Sequence, residues 1–300
     1  MTLDPSYLEY RQRHHGYDHD LYDWSAIKDR KPVEWAGGKK VAVWICVSLE
    51  WFPITPNDTP FRAPGAMQTP HPDYRHYTAR EYGTRVGFYR LLDAFAKAGV
   101  TASIATNAAI AERYPQVIAD IVGAGHEVIA HSTDMNGTIA SGLPIAEERA
   151  LIKQSLDTLE RVSGTRPTGW LSIARSQSWN TSVLLRAAGV TYACDWVNDE
   201  LPYAFKNGLI NLPLNHELSD RQIITVQQQS ADSYAQQIID AFDWLAGEGT
   251  RILPLHITPY IMGLPYRIGA FERLLGELKS QPGAWFARGD QIVSAWKDQQ

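Results

Sequence analysis

Apolar residues along this chain fall into two alternating rhythms. "KKVAVWICVSLE" (39–50) is an almost unbroken apolar run rich in Val and Ile, the make-up of a strand buried on both faces. From residue 80 onward, short runs of this kind alternate with segments whose apolar positions recur every three or four residues. Val86, Tyr89, Leu92 and Phe95 share helical spacing, and Gly99 ends that helix. The pattern then predicts the strand "VTASIAT", a helix over 108–123, the strand "HEVIAH" and a helix over 146–162. Next come the strand "TGWLS" (168–172), a helix over 181–187, and the strands "VTYACD" (190–195) and "LINLPLN" (209–215). A helix over 231–246, through Tyr234, Ile238, Phe242 and Leu245, leads to the strand "RILPLH" (251–256). A helix over 267–279, the segment "AWFA" and a terminal helix close the chain.

Strands alternating with helices imply a mostly parallel sheet with helices outside it. About seven buried strands in one chain of this size favour a (β/α) barrel, read as a single domain over 40–300. Residues 1–39 carry several aromatics but no periodic segment, and are expected to form an arm over the body. "WFPITPNDTPFRAPGAMQTPHPDY" holds six of the seventeen prolines. Long loops of that sort inside compact domains are usually lids or binding segments.

Composition narrows the partners. The net charge is −5, with Lys and Arg dispersed, so no phosphate-tracking face is visible and nucleic acid is not an expected partner. Cys46 and Cys194 both lie in apolar runs, as buried free thiols of a reducing compartment do. The N-terminus lacks the apolar core of a signal peptide, and no apolar stretch reaches bilayer length. The expectation is a cytoplasmic protein with no membrane partner.

In such barrels chemistry gathers at the carboxyl ends of the strands, while polar residues at strand starts are structural. That rule sets aside His126, Arg166 and Arg251. It retains Glu50, Thr106, Asn107, His131, Asp134, Asn136, Arg175, Asp195, Asp199, Asn215, Glu217 and His256. Among these, Glu50 could take a proton from water and His256 could protonate a leaving nitrogen. Arg175 could hold a carboxylate or an oxyanion, and Asp195 could fix an imidazole tautomer. Trp51, Trp170, Trp179 and Trp196 cluster near the same strand ends, where aromatics serve either as a ligand wall or as core. There is no Gly-x-Ser-x-Gly elbow, no Gly-x-Gly-x-x-Gly and no Gly-x-x-x-x-Gly-Lys.

The order of these motifs resembles the polysaccharide deacetylase (NodB-homology) superfamily over about residues 25–296. "RPTGWLSIARSQSWNTSVLLRAAGVTYACDWVNDELPY" and "LPLHITPYIMGLPYRI" look most like the branch containing metal-independent bacterial allantoinases. The resemblance implies a distorted (β/α) barrel. In the deacetylases it implies a divalent metal held by one Asp and two His, with a second Asp as base. Here the acid pair reads "VSLEWFP", leaving Glu50 with Trp51 beside it. His131 matches the first histidine, but the position four later is Met135, whose thioether is a poor zinc ligand. No cofactor is therefore expected, and a bound zinc would fall to Glu50, His131 and Asp134. Arg175, Asp195 and His256 match the later motifs.

The implied activity is hydrolysis of a non-peptide carbon–nitrogen bond in a small amide or cyclic ureide. Glu50 would activate water and His256, oriented by Asp195, would act as general acid, while Arg175 and His131 polarise the carbonyl. Trp51, Asp134, Met135, Trp170, Trp196 and Asp199 are the candidate substrate contacts. Two alternatives remain: N-deacetylation of a polysaccharide or other sugar-derived substrate, and a barrel that binds ligand without chemistry. Homo-oligomerisation is implied by the resemblance alone, with the aromatic arm as the contact.

Overall fold

A computed structural model describes residues 19–300. Its strands are β1 (Val41–Leu49), β2 (Ser103–Thr106), β3 (Glu127–Ala130), β4 (Gly169–Trp170), β5 (Tyr192–Ala193), β6 (Tyr203–Ala204), β7 (Ile210–Asn211), β8 (Arg251–Ile257) and β9 (Ala284–Phe286). They form one sheet in the order β6-β7-β5-β4-β3-β2-β1-β8, with β9 also against β1. Every pairing is parallel except that of β6 with β7. The sheet curls into a distorted barrel whose ladder ends at β8 and β6; near that seam the Ile252 amide donates to the Glu200 carbonyl. The expected strands are all present, and the short antiparallel β6 is an addition the pattern did not announce.

Strand β1 organises the core because both of its faces are buried. Val41, Val43, Ile45, Val47 and Leu49 pack toward the helical layer, while Ala42, Trp44 and Cys46 fill the barrel interior, as a two-residue side-chain period requires. Cys194 joins Cys46 inside, and burial pushes both thiols well above their ordinary range. They are inert fillers. Continuing the inner face upward gives Ser48 and Glu50, at the rim.

Two helical expectations need correction. The segment α1 (Tyr74–Tyr82) runs through a π-helical turn (Gly83–Gly87) into α2 (Phe88–Ala98). The wide turn shifts the buried stripe to Phe88, Leu91, Ala94 and Phe95, leaving Tyr89 38% exposed. The expected helix over 108–123 is two, α3 (Ala108–Arg113) and α4 (Pro115–Gly123). Pro115 has no amide to donate, and Tyr114 breaks out to φ −134°. The helices α5 (Ile145–Ser163), α6 (Thr181–Ala187), α7 (Ala231–Glu248), α9 (Ile268–Ser280) and α10 (Gly289–Lys297) follow the spacing closely, and the short α8 (Pro259–Met262) lies after β8.

The first eighteen residues of the expected arm lie outside the described residues. The rest of it is tied to the segment before β7: Lys206 donates its amide to the Leu21 carbonyl, and Tyr22 sits among Trp196, Tyr203 and Phe205. Among the described residues no helix is long and apolar enough to cross a membrane.

The α8 turn carries Tyr260 toward the barrel mouth and is seated by glycine. A Cβ on Gly87 would overlap the Pro259 carbonyl, and one on Gly263 would overlap Gly87 itself. Asp220, fully buried before a π-helical turn (Arg221–Val226), accepts from the Thr258 amide at 2.7 Å and holds the same turn from the other side. Gly87→Ala is therefore expected to cost about 1–3 kcal/mol in urea unfolding and to perturb the Tyr260 side of the mouth. A variant of wild-type stability would contradict this packing. Burial raises the Asp220 carboxyl to about 7, so the folded chain keeps a proton that an unfolded aspartate loses near pH ~3.9. Folding thus weakens as pH rises between those values. The stability of Asp220→Asn relative to wild type should accordingly rise between pH 4.5 and pH 8, and a difference independent of pH would refute this.

Candidate functional site

The strand ends at the barrel mouth are clamped before any chemistry is placed on them. The Asn107 carbonyl accepts from the Trp51 amide at 2.8 Å, and its NH2 donates to the His131 carbonyl. Asn107 therefore fixes the exits of β1, β2 and β3 together. His131 donates its amide to the Thr106 carbonyl at 3.0 Å, and the chain then reverses at Ser132, with φ 63°.

Above this clamp is a cavity of about 370 Å³. Ser48, Glu50, His131, Met135, Arg175, Asp195, His216, Arg221 and His256 all reach its wall. The five residues expected to carry chemistry thus converge on one cavity, and Met135 joins them.

Hydrogen-bond partners fix the proton positions. His131 Nδ1 lies 2.7 Å from the Leu171 carbonyl; a carbonyl can only accept, so the ring proton is on Nδ1. Among the described residues its Nε2 is left as a buried lone pair without a partner. Burial lowers the His131 pKa, opposed by the Glu50 charge and the Leu171 hydrogen bond. His256 has the opposite arrangement. Arg175 Nη2 donates to its Nδ1 at 3.2 Å, so the proton sits on Nε2 and donates to Ser48 Oγ at 2.7 Å. Burial, followed by the Arg175 and Arg221 charges, drives the His256 pKa well below the imidazole range. The Ser48 hydroxyl proton is left to donate into the cavity.

Arg175 is held rather than free. Its Nε and Nη2 donate to the Leu214 carbonyl at 3.3 and 3.1 Å, and Ala174 and Arg175 sit consecutively at φ 57° and 56°. Left-handed conformations at non-glycine residues cost about 1–3 kcal/mol each; here they direct the guanidinium inward. Glu50 accepts from Arg221 Nη2 at 3.0 Å on both oxygens and from the Tyr260 hydroxyl at 2.6 Å. Burial works against the charge of Arg221, but Glu50 and Tyr260 more than compensate and keep it protonated.

Several expected contacts have other roles. Asp195 does not orient His256; it accepts from the Ser172 amide and hydroxyl at 2.7 and 2.8 Å and from Gln177 at 2.6 Å. Burial raises its pKa, against those bonds. Trp170 is core, with its indole N–H on Ser172. Trp196 packs with Tyr22 and Phe205 and donates to Gln177. Trp51 lies under the Arg113 guanidinium at 4.1 Å, outside the cavity. Asp134 caps its own turn through the Asn136 amide at 2.7 Å, and Asp199 pairs with Arg30 at 2.6 Å. Of these side chains only Asp195 reaches the cavity wall; the others are taken up by core packing, turns or ion pairs. The residues set aside earlier are structural: His126 accepts from the Ala102 amide, Arg166 pairs with Asp157 and Glu160, and Arg251 with Glu200 and Glu248.

Arg221, Tyr260 and Ser48 were missed. Ser48 was readable, being two residues before Glu50 on the same strand face. Tyr260 lies in "LPLHITPYIM" but gave no signal of its own. Arg221 lies in a π-helical turn that neither period describes.

The residues do not fit the divalent metal of the deacetylases. Met135 stands where the second imidazole would be, Glu50 is committed to Arg221 and Tyr260, and Asp134 faces its own turn. Among the described residues no three His, Cys, Asp or Glu side chains are grouped to hold a metal.

Residues 80–193 match the profile of the polysaccharide deacetylase family. A Schizosaccharomyces pombe protein classed as a polysaccharide deacetylase is 26% identical, over 89% of this chain and 94% of its own. The Helicobacter pylori peptidoglycan deacetylase is 23% identical, over 71% and 84%. The crystal structure of PuuE allantoinase superposes with a TM-score of 0.82 over 95% of this chain and 98% of that one, at 24% identity. Profile, relatives and fold agree with the motif order: the chain is similar to polysaccharide deacetylases over residues 80–193 and has the same fold as PuuE allantoinase.

Proposed function

We propose that this chain hydrolyses a non-peptide carbon–nitrogen bond of a small amide or cyclic ureide, without the deacetylase metal. The observation that carries the reading is the unpartnered His131 Nε2, a neutral base buried in a cavity with fixed cations beside it. A cavity of about 370 Å³ is of small-ligand size.

The roles follow from the hydrogen bonds. Water bound against His131 gives its proton to Nε2 as its oxygen attacks the carbonyl carbon. The imidazolium that forms is stabilised by Glu50, whose charge already favours protonated His131. The carbonyl oxygen, gaining negative charge, is met by the Ser48 hydroxyl, itself polarised by the chain Arg175 to His256 to Ser48. When the tetrahedral adduct collapses, the carbon–nitrogen bond breaks and His131 returns its proton to the leaving nitrogen. This reading moves the base from Glu50 to His131, because Glu50 spends both oxygens on Arg221 and Tyr260. It also makes His256 a positioning residue, because its one proton is committed to Ser48.

A second reading, N-deacetylation of a sugar-derived substrate, is favoured by the two named deacetylases among the relatives. Assaying allantoin, hydantoin and N-acetylglucosamine oligomers side by side separates the two by product.

With a turned-over substrate, Ser48→Ala is expected to lower kcat about 10²-fold with little change in KM. A change confined to KM would deny Ser48 the oxyanion. The acid limb of kcat/KM should have its midpoint below the ordinary imidazole value of about 6.5, since burial lowers His131, and His131→Ala should abolish turnover. A midpoint above 7 would point to another base. Elemental analysis of protein purified without chelator is expected to find far less than one transition metal per chain. Stoichiometric zinc that disappears in His131→Ala would instead restore the metal route.

A further inference from the structure

A second cavity, about 350 Å³, adjoins the first and shares Pro64 and Arg221 with it. Its wall includes Arg80, Arg221 and Arg267 together with Thr225, Val226 and Tyr260, and no carboxylate lines it. Arg221 is neutralised by Glu50. Arg80 and Arg267 are not neutralised: among the described residues neither is paired with a carboxylate. Arg80 stacks on the Tyr260 ring at 4.6 Å and donates from Nε and Nη2 to the Gly65 carbonyl at 3.2 and 2.8 Å. Arg267 donates one N–H, from Nη1, to the Ile261 carbonyl at 3.1 Å. Both guanidinia are thus held by backbone carbonyls, with positive charge left over.

The partition between the cavities is built to tight tolerance. A Cβ on Gly65, at φ +84°, would come within 2.5 Å of Arg221 Nη1 and 3.1 Å of the Tyr260 hydroxyl. The proline-rich loop is therefore pressed against the ion pair, with Pro64 facing both sides.

Resting on the hydrolase reading, we infer that the second cavity is an anion subsite and that the substrate carries a carboxylate beyond its reacting carbon–nitrogen bond. The reacting group lies against His131 and Ser48, and the carboxylate reaches across Pro64 to Arg80 and Arg267. A planar carboxylate matches a guanidinium fork, and two arginines without counter-ions attract it before contact. The lining aliphatics, Val226 and Ile261, suit a short methylene link.

Calorimetric titration with succinate, and with succinamide as its uncharged analogue, tests the subsite without any turnover. Succinate should bind wild type, and succinamide should bind at least about tenfold more weakly. Arg267→Gln and, separately, Arg80→Gln should each weaken succinate about tenfold, Arg267→Lys should keep most of the affinity, and added salt should weaken it. Equal affinity for both probes, no succinate binding to wild type, or indifference to both arginine variants overturns the subsite. Succinate binding with no hydrolysis of any amide overturns the hydrolase reading instead and leaves the subsite standing.

Discussion

A carboxylate at the buried end of the central strand needs a cation, and Arg221 answers Glu50. Removing one partner of such a pair typically costs about 3–5 kcal/mol because the other charge is left stranded. The surroundings are arranged accordingly. Tyr260 adds a second hydrogen bond to Oε2 of Glu50, the α8 turn that carries Tyr260 is seated on Gly87, and Asp220 fixes that turn through Thr258. Gly65 lets the proline-rich loop close over the pair. Four segments far apart in sequence are thereby bound to one ion pair at the barrel mouth.

The same pair sets the electrostatics of the cavity. Burial lowers the pKa of both imidazoles: at His131 the Glu50 charge works against it, whereas at His256 the Arg175 and Arg221 charges add to it. Arg221 and Tyr260 take up both oxygens of Glu50, which leaves its carboxylate as a counter-charge near His131. The division of labour between His131 and Glu50 follows from those contacts.

Most of the fold was legible because burial writes a period into the sequence. Strand β1 reads as apolar on both faces and is so, and the α7 stripe of Tyr234, Ile238, Phe242 and Leu245 is buried as spaced. The pattern failed where the backbone left both regular periods: the π-helical turns at 83–87 and 221–226, and the break at Pro115. The site was legible to the extent that strand ends were. Glu50, His131, Arg175, Asp195 and His256 reach one cavity because parallel strands bring their carboxyl ends to one rim. Trp51, Asp134 and Asp199 follow strand ends too, but adjacency to a strand end does not say which way a side chain faces once the chain turns. Arg221 follows no strand, so the rule could not reach it.

The two histidines show why residue identity alone was not enough to assign roles. Both are buried imidazoles facing the same cavity, and on sequence either would serve as acid or base. Their partners separate them: a backbone carbonyl on Nδ1 makes His131 an acceptor toward the cavity, while a guanidinium on Nδ1 makes His256 a donor. Opposite tautomers thus give one acceptor and one donor without protonating either ring. The Arg175 and Arg221 guanidinia are fixed at the wall of the same cavity. Met135, a poorly ligating apolar side chain where the resemblance would place an imidazole, reaches the same wall.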